Sequence, residues 1–347
     1  MKEIILSYID RLVHVTNRYY KYFPYLSLLL GILTIVLWER GFEFIRWAFI
    51  YLIFIGITTI ILLRFARHLS CENKIFPIAV WCIEFINQNI YQDLILFLLP
   101  IYYQSSTLYS KNVVFLIIIT ALAIITTFDN LYRTVILRSK VTQFLFYTFN
   151  LFAFLNFCLP VLAGVRNIFS LYISISLSIL LLSPLFVNYR QIVVSSKHVL
   201  KGFNLGMIFI IIPMILISFL AVNLLKGFIP PVPLKLISGT ASTDIDRVKK
   251  EPTSPFSSIS SKGLETIYCY TSIFAPMGIK ETLWHVWKKD DVFIQKVPQV
   301  ITGGRKEGYR TWSKRTLARN DAKGTWIVDI ETGGGQLVGR VRFKVID

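Results

Sequence analysis

Between residues 24 and 225 one pattern recurs: a long apolar run, then a short loop that carries charge. The runs fall at about 24–38, 44–63, 83–103, 112–128, 142–163, 168–187 and 203–225. About 20 apolar residues cross the hydrocarbon core of a bilayer, so each run predicts a crossing. The chain is 54% hydrophobic by residue, whereas a soluble globule is about 45–50% apolar with glycine counted. The expectation is an α-helical polytopic membrane bundle of about seven helices over residues 1–226.

Lysine and arginine collect in cytoplasmic loops, which gives a test of sidedness. With the N-terminus inside, the inner segments hold Lys2, Arg11, Arg18 and Lys21, then Arg64, Arg67 and Lys74, then Arg133, Arg138 and Lys140, then Arg190, Lys197 and Lys201. The outer loops hold only Arg40, Arg46, Lys111 and Arg166, and the alternation puts everything after Leu225 outside. Tyr19, Tyr20, Tyr22, Trp38, Trp47, Tyr102, Tyr103 and Tyr109 fall near predicted interfaces, where amphipathic rings concentrate. Residues 1–22 read either as an interfacial amphipathic helix or as a polar leader. The first membrane helix would serve as an uncleaved signal.

The third run is the polar one. Glu84, Gln88 and Gln92 share a helix face at i, i+4, i+8, and Asp93 points away from it. Ionisable groups at membrane depth are costly and mark bundle interiors or solute paths. Two readings stay open: an intramembrane polar face, or an interfacial helix over 75–89 with the crossing starting later.

After Leu225 the composition changes. Ile229-Pro230-Pro231-Val232-Pro233-Leu234 predicts a stiff extended exit, and the Ser, Thr, Lys and Pro content of the following residues predicts a flexible linker over 227–262. From 263 to 347 alternation takes over, with strands expected near 264–275, 279–288, 291–301, 308–317, 324–332 and 336–346. Val341, Phe343 and Val345 alternate with Arg340, Arg342 and Lys344, the signature of a half-buried strand. Six short strands in so few residues predict a small antiparallel β-sandwich of the Ig-like kind.

Chemistry concentrates in two places. Arg310, Trp312 and Lys314 share one face of a strand, with Arg305 and Lys306 in the preceding turn. A ring flanked by cations suits the apolar face of a sugar together with a carboxylate or phosphate gripped by a guanidinium fork. The alternative is that Trp312 is core and the cations are solvated neighbours. The second place is Trp284-His285-Val286-Trp287, in which His285 and Trp287 share a face with Leu283 and Trp284 takes the other. A lone histidine makes neither a metal site nor a triad, so a hydrogen-bonded structural role is its main reading. Cys71, Cys82, Cys158 and Cys269 have no metal spacing, and the glycine runs lack phosphate-loop spacing. Neither an enzyme, a cofactor nor a metal is implied, and an outward-facing domain excludes nucleic acid as the partner.

The order Trp284-His285-Val286-Trp287, Gly303-Gly304-Arg305, Gly308-Tyr309-Arg310-Thr311-Trp312-Ser313-Lys314, Gly324-Thr325-Trp326, Gly335-Gln336 and Phe343 resembles the bacterial domain-of-unknown-function family 2914. Trp284 stands where that resemblance implies a smaller residue. The resemblance implies an envelope-facing β-sandwich fused to a multi-spanning region, and no activity. The expectation is a bacterial inner-membrane protein with a periplasmic binding module. Its partner would be a glycan, an anionic lipid headgroup or a membrane protein, met by Arg310, Trp312 and Lys314 with Arg305, His285 and Trp287 alongside. The alternative is a transporter or channel-like subunit working through Glu84, Gln88, Gln92 and Asp93.

Overall fold

The structure is a computed structural model that describes residues 76–187, 205–317 and 322–346, with Leu29 the one described position before them. The crossings expected at 24–38 and 44–63, and the interfacial helix over 1–22, lie outside the described residues. Five long helices follow: α1 (Phe76–Gln104), α2 (Val113–Thr127), α3 (Lys140–Ala163), α4 (Asn167–Val187) and α5 (Leu205–Leu225). A single turn at Asp129–Leu131 and a π-helical turn at Tyr132–Ile136 lie between α2 and α3.

Each of the five apolar runs in this part became a helix, yet the polytopic bundle of about seven helices does not hold. Among the described residues only Lys140–Ala163 and Ile211–Phe228 are long and apolar enough to cross a membrane, with a third if α2 and the turn after it, bent by 106°, form one broken span. The reasons are local. With 15 residues, α2 rises only about 22 Å, short of the roughly 30 Å hydrocarbon core. Along α1, Glu84, Asn87, Gln88, Asn89, Gln92 and Asp93 interrupt the apolar run.

The chain divides into two compact units. Of the described residues the first holds 76–100, 119–151, 178–187 and 205–214; the second holds 101–118, 152–177, 215–317 and 322–346. In the first, the polar residues of α1 are spent on helix contacts. Gln88 donates to the Thr126 carbonyl at 2.9 Å, Gln92 to the Thr127 hydroxyl at 3.3 Å and Asn87 to the Tyr147 hydroxyl at 3.0 Å. Glu84 pairs with Arg133 at 3.4 Å. Tyr91, Phe146 and Tyr147 pack their rings between these bonds.

The second unit carries the strands: β1 (Lys235–Ser242), β2 (Ile245–Asp246), β3 (Glu251–Pro252), β4 (Pro255–Phe256), β5 (Ser258–Ser260), β6 (Thr266–Phe274), β7 (Lys280–Lys289), β8 (Val292–Thr302), β9 (Tyr309–Thr316), β10 (Gly324–Thr332) and β11 (Leu337–Ile346). The last six sit where the alternation placed them. The first five occupy the stretch read as a flexible linker, and that reading fails: β1 is a central strand, hydrogen-bonded to β4 on one side and β6 on the other. One sheet runs β4-β1-β6-β9, the second β5-β11-β10-β7-β8, and β2 and β3 form a separate hairpin. All pairings are antiparallel except β5 with β11.

The inner faces of the two sheets share one core. Ala241, Ile267, Cys269 and Ile273 come from the first sheet; Leu283, Trp287, Trp326, Val328, Ile330, Val341, Phe343 and Val345 come from the second. Trp326 stacks on Phe343 at 6.3 Å, and Trp287 meets both edge-on. The β7–β8 hairpin turns on Asp290 and Asp291 alone, both at positive φ, which matches the right-handed twist of the flanking strands. Gly303 is irreplaceable for a plainer reason: a Cβ there would lie 1.8 Å from the Pro276 carbonyl oxygen.

The sandwich does not hang from a tether. Within the second unit it is bonded to the helix ends. The Glu281 carboxylate on β7 accepts from the Asn167 backbone N–H, the first residue of α4, at 3.2 Å. Asn112, just before α2, donates to the Leu337 carbonyl, and Gln336 donates to the Ile229 carbonyl beyond α5. A Cβ on Gly334 would strike Ile168, and one on Gly164 would touch the Gly278 carbonyl.

Candidate functional site

Strand β9 sorts its side chains as the period of two requires. Thr311 and Ser313 face inward and are buried; Arg310 and Trp312 are half-buried on the outer face, and Lys314 is exposed there. Across the ladder from β6, Arg310, Trp312 and Lys314 stand opposite Ser272, Tyr270 and Tyr268, which continues the aromatic strip.

Arg310 is a braced side chain. Its guanidinium pairs with Glu251 at 2.9 Å and Glu307 at 3.2 Å and donates to the Lys249 carbonyl at 3.1 Å. It thereby fastens the β2–β3 hairpin to the loop before β9. Between hairpin and loop lies a cleft of about 520 Å³, lined by Lys249, Lys250, Arg305, Lys306 and Arg310 with Glu307 and Gly308. Arg305 lies over the Tyr309 ring at 5.3 Å. Sequence reasoning found Arg305, Lys306 and Arg310 but missed Lys249 and Lys250, because their segment read as linker. The only available signal was that two lysines adjoin the short extended pair Glu251-Pro252.

His285 and Trp287 do not belong to this surface. Both are fully buried. His285 bridges the sheets, one ring nitrogen 3.1 Å from the Thr271 hydroxyl and the other 2.8 Å from the Ser313 hydroxyl, which also accepts from the Trp287 indole at 2.9 Å. Burial holds the imidazole down at about 4, so it is neutral at ordinary pH, with one nitrogen donating and one accepting. A Ser–His pair at this distance invites thought of a nucleophile, but no substrate reaches a fully covered seam. The histidine is structural. Trp284 lies on the outer face of β7 beneath the Lys296 ammonium at 5.0 Å, which is how a large ring is accommodated before the histidine.

On the outside of the second sheet Asp329, 1% exposed, pairs with Lys288 at 2.7 Å and with Arg340 through both oxygens. Glu331, beside it, is shifted up by burial, with Lys296 opposing. These charges are internally balanced. Of the α1 residues singled out from sequence, Glu84, Gln88 and Gln92 hold helices together as described, and Asp93 is half-buried. Tyr102, expected as an interfacial anchor, is instead fully buried and donates to the Ala153 carbonyl, whereas Tyr103 and Tyr109 are exposed.

Helices bonded at their ends to a C-terminal β-sandwich with a sealed polar seam and an open basic cleft define the class of protein. The chain belongs to the family of unknown function DUF5924, whose model matches residues 2–271. Residues 280–345 match a second model, the protein of unknown function DUF2914, as the motif order implies. The first match ends within β6 and the second begins at β7, both inside the sandwich, so the single core described above draws on both. No curated protein matches the chain.

Proposed function

We propose that this is a bacterial inner-membrane protein in which α3 and the segment Ile211–Phe228 both cross the bilayer toward the sandwich, the chain between them returning through α4, and the sandwich, on the periplasmic side, is an interaction module for an envelope component. The surface that meets the component is the outer strip of β9, Arg310, Trp312 and Lys314, with Arg305 beside it. The observation that carries this reading is the bonding of the sandwich to the helix ends through Glu281, Asn112 and Gln336, which gives the strip a fixed orientation. A domain meant only to roam would gain nothing from a buried carboxylate on a helix terminus.

A glycan or anionic polymer suits the strip best, since Trp312 offers a ring face and Lys314 an exposed cation beside it. The test is a photoreactive phenylalanine at position 312 in the full-length protein, irradiated in native membranes. Crosslinks to an envelope glycan or protein, reduced by Lys314→Ala, are the expected result; crosslinks to the protein itself alone contradict the assignment. Ser257→Cys, at an exposed site, should react with a membrane-impermeant maleimide applied from the periplasmic side.

A further inference from the structure

The basic cleft lies at the end of the sandwich that meets the helices, as a chain of contacts within the second unit establishes. Gly164, directly after α3, touches the Gly278 carbonyl region. The loop holding Gly278 is stapled to the turn after β8: Gly303 donates to the Ile279 carbonyl at 2.8 Å, and Gly304 to the Ala275 carbonyl at 3.0 Å. Arg305 and Lys306 come next in sequence. The Ser272 hydroxyl holds the Glu307 carbonyl at 2.5 Å, and Arg310 draws in the β2–β3 hairpin with Lys249 and Lys250.

Two further observations concern what meets this end. Val248 on the hairpin and Met277 on the stapled loop are 93% and 80% exposed, apolar tips beside the cations. Lys249, Lys250, Arg305, Lys306 and Arg310 stand against Glu251 and Glu307, both on Arg310, and Asp246 near Lys249, so five cations meet three carboxylates and positive charge is in excess by two. A cleft with an excess of positive charge flanked by exposed apolar side chains, beside helix termini, is complementary to a bilayer surface whose lipids carry phosphate.

We infer that this cleft binds the phosphate headgroups of anionic lipids in the same membrane that holds the helices. The inference rests on the proposed insertion of those helices; it shares Arg305 with the surface proposed for the envelope component, and Trp312 and Lys314 take no part in it. Lys249 and Lys250 reach the headgroups from one side, Arg305 and Lys306 from the other, and Val248 and Met277 enter the acyl boundary.

Native mass spectrometry of the full-length protein, ejected from nanodiscs made of equal parts phosphatidylglycerol and phosphatidylcholine, tests this. The wild type should retain phosphatidylglycerol in preference by about tenfold or more, and Lys249→Gln/Lys250→Gln/Arg305→Gln/Lys306→Gln should fall to near parity. Equal retention in wild type and variant overturns the inference. So does displacement of the lipid by millimolar inorganic phosphate, which would mark a site for free anions. If the quadruple variant does not fold, the Lys249/Lys250 and Arg305/Lys306 double variants each carry the test. Carbonate extraction of every variant reports insertion separately, so a failed lipid preference in an inserted protein counts against the cleft alone.

Discussion

The seam around His285 and the cleft around Lys249 draw on similar residues, hydroxyls, aromatics and a basic side chain, and they meet at the same strand. In the seam, the polar groups of Thr271, His285, Ser313 and Trp287 bond to one another and, from Thr271, to the Thr311 carbonyl, and all four side chains are buried. In the cleft, Glu251 and Glu307 pair with Arg310, while Lys249, Lys250, Arg305 and Lys306 are exposed. Polar chemistry that closes on itself specifies a core; polar chemistry left open awaits a ligand. Whether a polar side chain here is sealed or open depends on which side of β9 it faces and on where its partners are, not on its type.

The sharpest way to break that contrast is to remove a seam residue that also fills the core. Trp287→Ala should cost about 3–5 kcal/mol of sandwich stability, read by denaturant unfolding, because the cavity adds to the lost contacts with Trp326 and Phe343. A change below about 1 kcal/mol would mean that the indole is not a core element.

Acid should act on the seam next. His285 has a folded pKa near 4, below its ordinary 6.5, so the native state binds fewer protons than the unfolded one. The associated stability is fully present above pH 6.5 and lost as pH falls through 4, roughly 3 kcal/mol across the window. His285→Gln should flatten that slope in unfolding curves taken between pH 7 and 4, and an unchanged slope would place the titrating group elsewhere.

Smaller again is the docking bond. Burial raises the Glu281 carboxyl above its ordinary value, with the Asn167 N–H and Arg166 opposing. The native state therefore binds the extra proton, and its contribution is present below pH 4.5 and lost as pH rises through the folded value. Glu281→Ala should cost about 1 kcal/mol and speed hydrogen exchange at the Asn167 amide; exchange equal to wild type would mean that the carboxylate does not cap α4. The least effect belongs to the cleft. Lys249→Gln/Lys250→Gln should leave stability within about 0.5 kcal/mol, since both side chains are exposed and among the described residues neither forms an ion pair.

The six strands after residue 264 were legible because half-buried strands write their faces as an alternation. Trp326, Val328 and Ile330 are buried together, as are Val341, Phe343 and Val345. The five earlier strands were not. Four of them have only two or three residues, too few for a period, and β1 hides its role in small residues: a Cβ on Gly239 would meet Val341 at 2.6 Å, so the sheets approach where a larger side chain would hold them apart. The apolar runs predicted the helices but overstated the crossings, since an apolar run does not show that α2 stops after 15 residues at a 106° bend. Of the candidate site, Arg310, Trp312 and Lys314 were readable from β9 alone. The Glu281–Asn167 bond joins residues 114 positions apart, and no local pattern announces it.

The central claim is that the cleft end of a docked sandwich lies on the bilayer. An environment-sensitive fluorophore on Val248→Cys, in full-length protein reconstituted into phosphatidylglycerol vesicles, measures this through quenching by lipids spin-labelled at the headgroup. Strong quenching by headgroup-labelled lipid is the predicted result. Emission unchanged by the quencher, with the protein shown to be inserted, would contradict it.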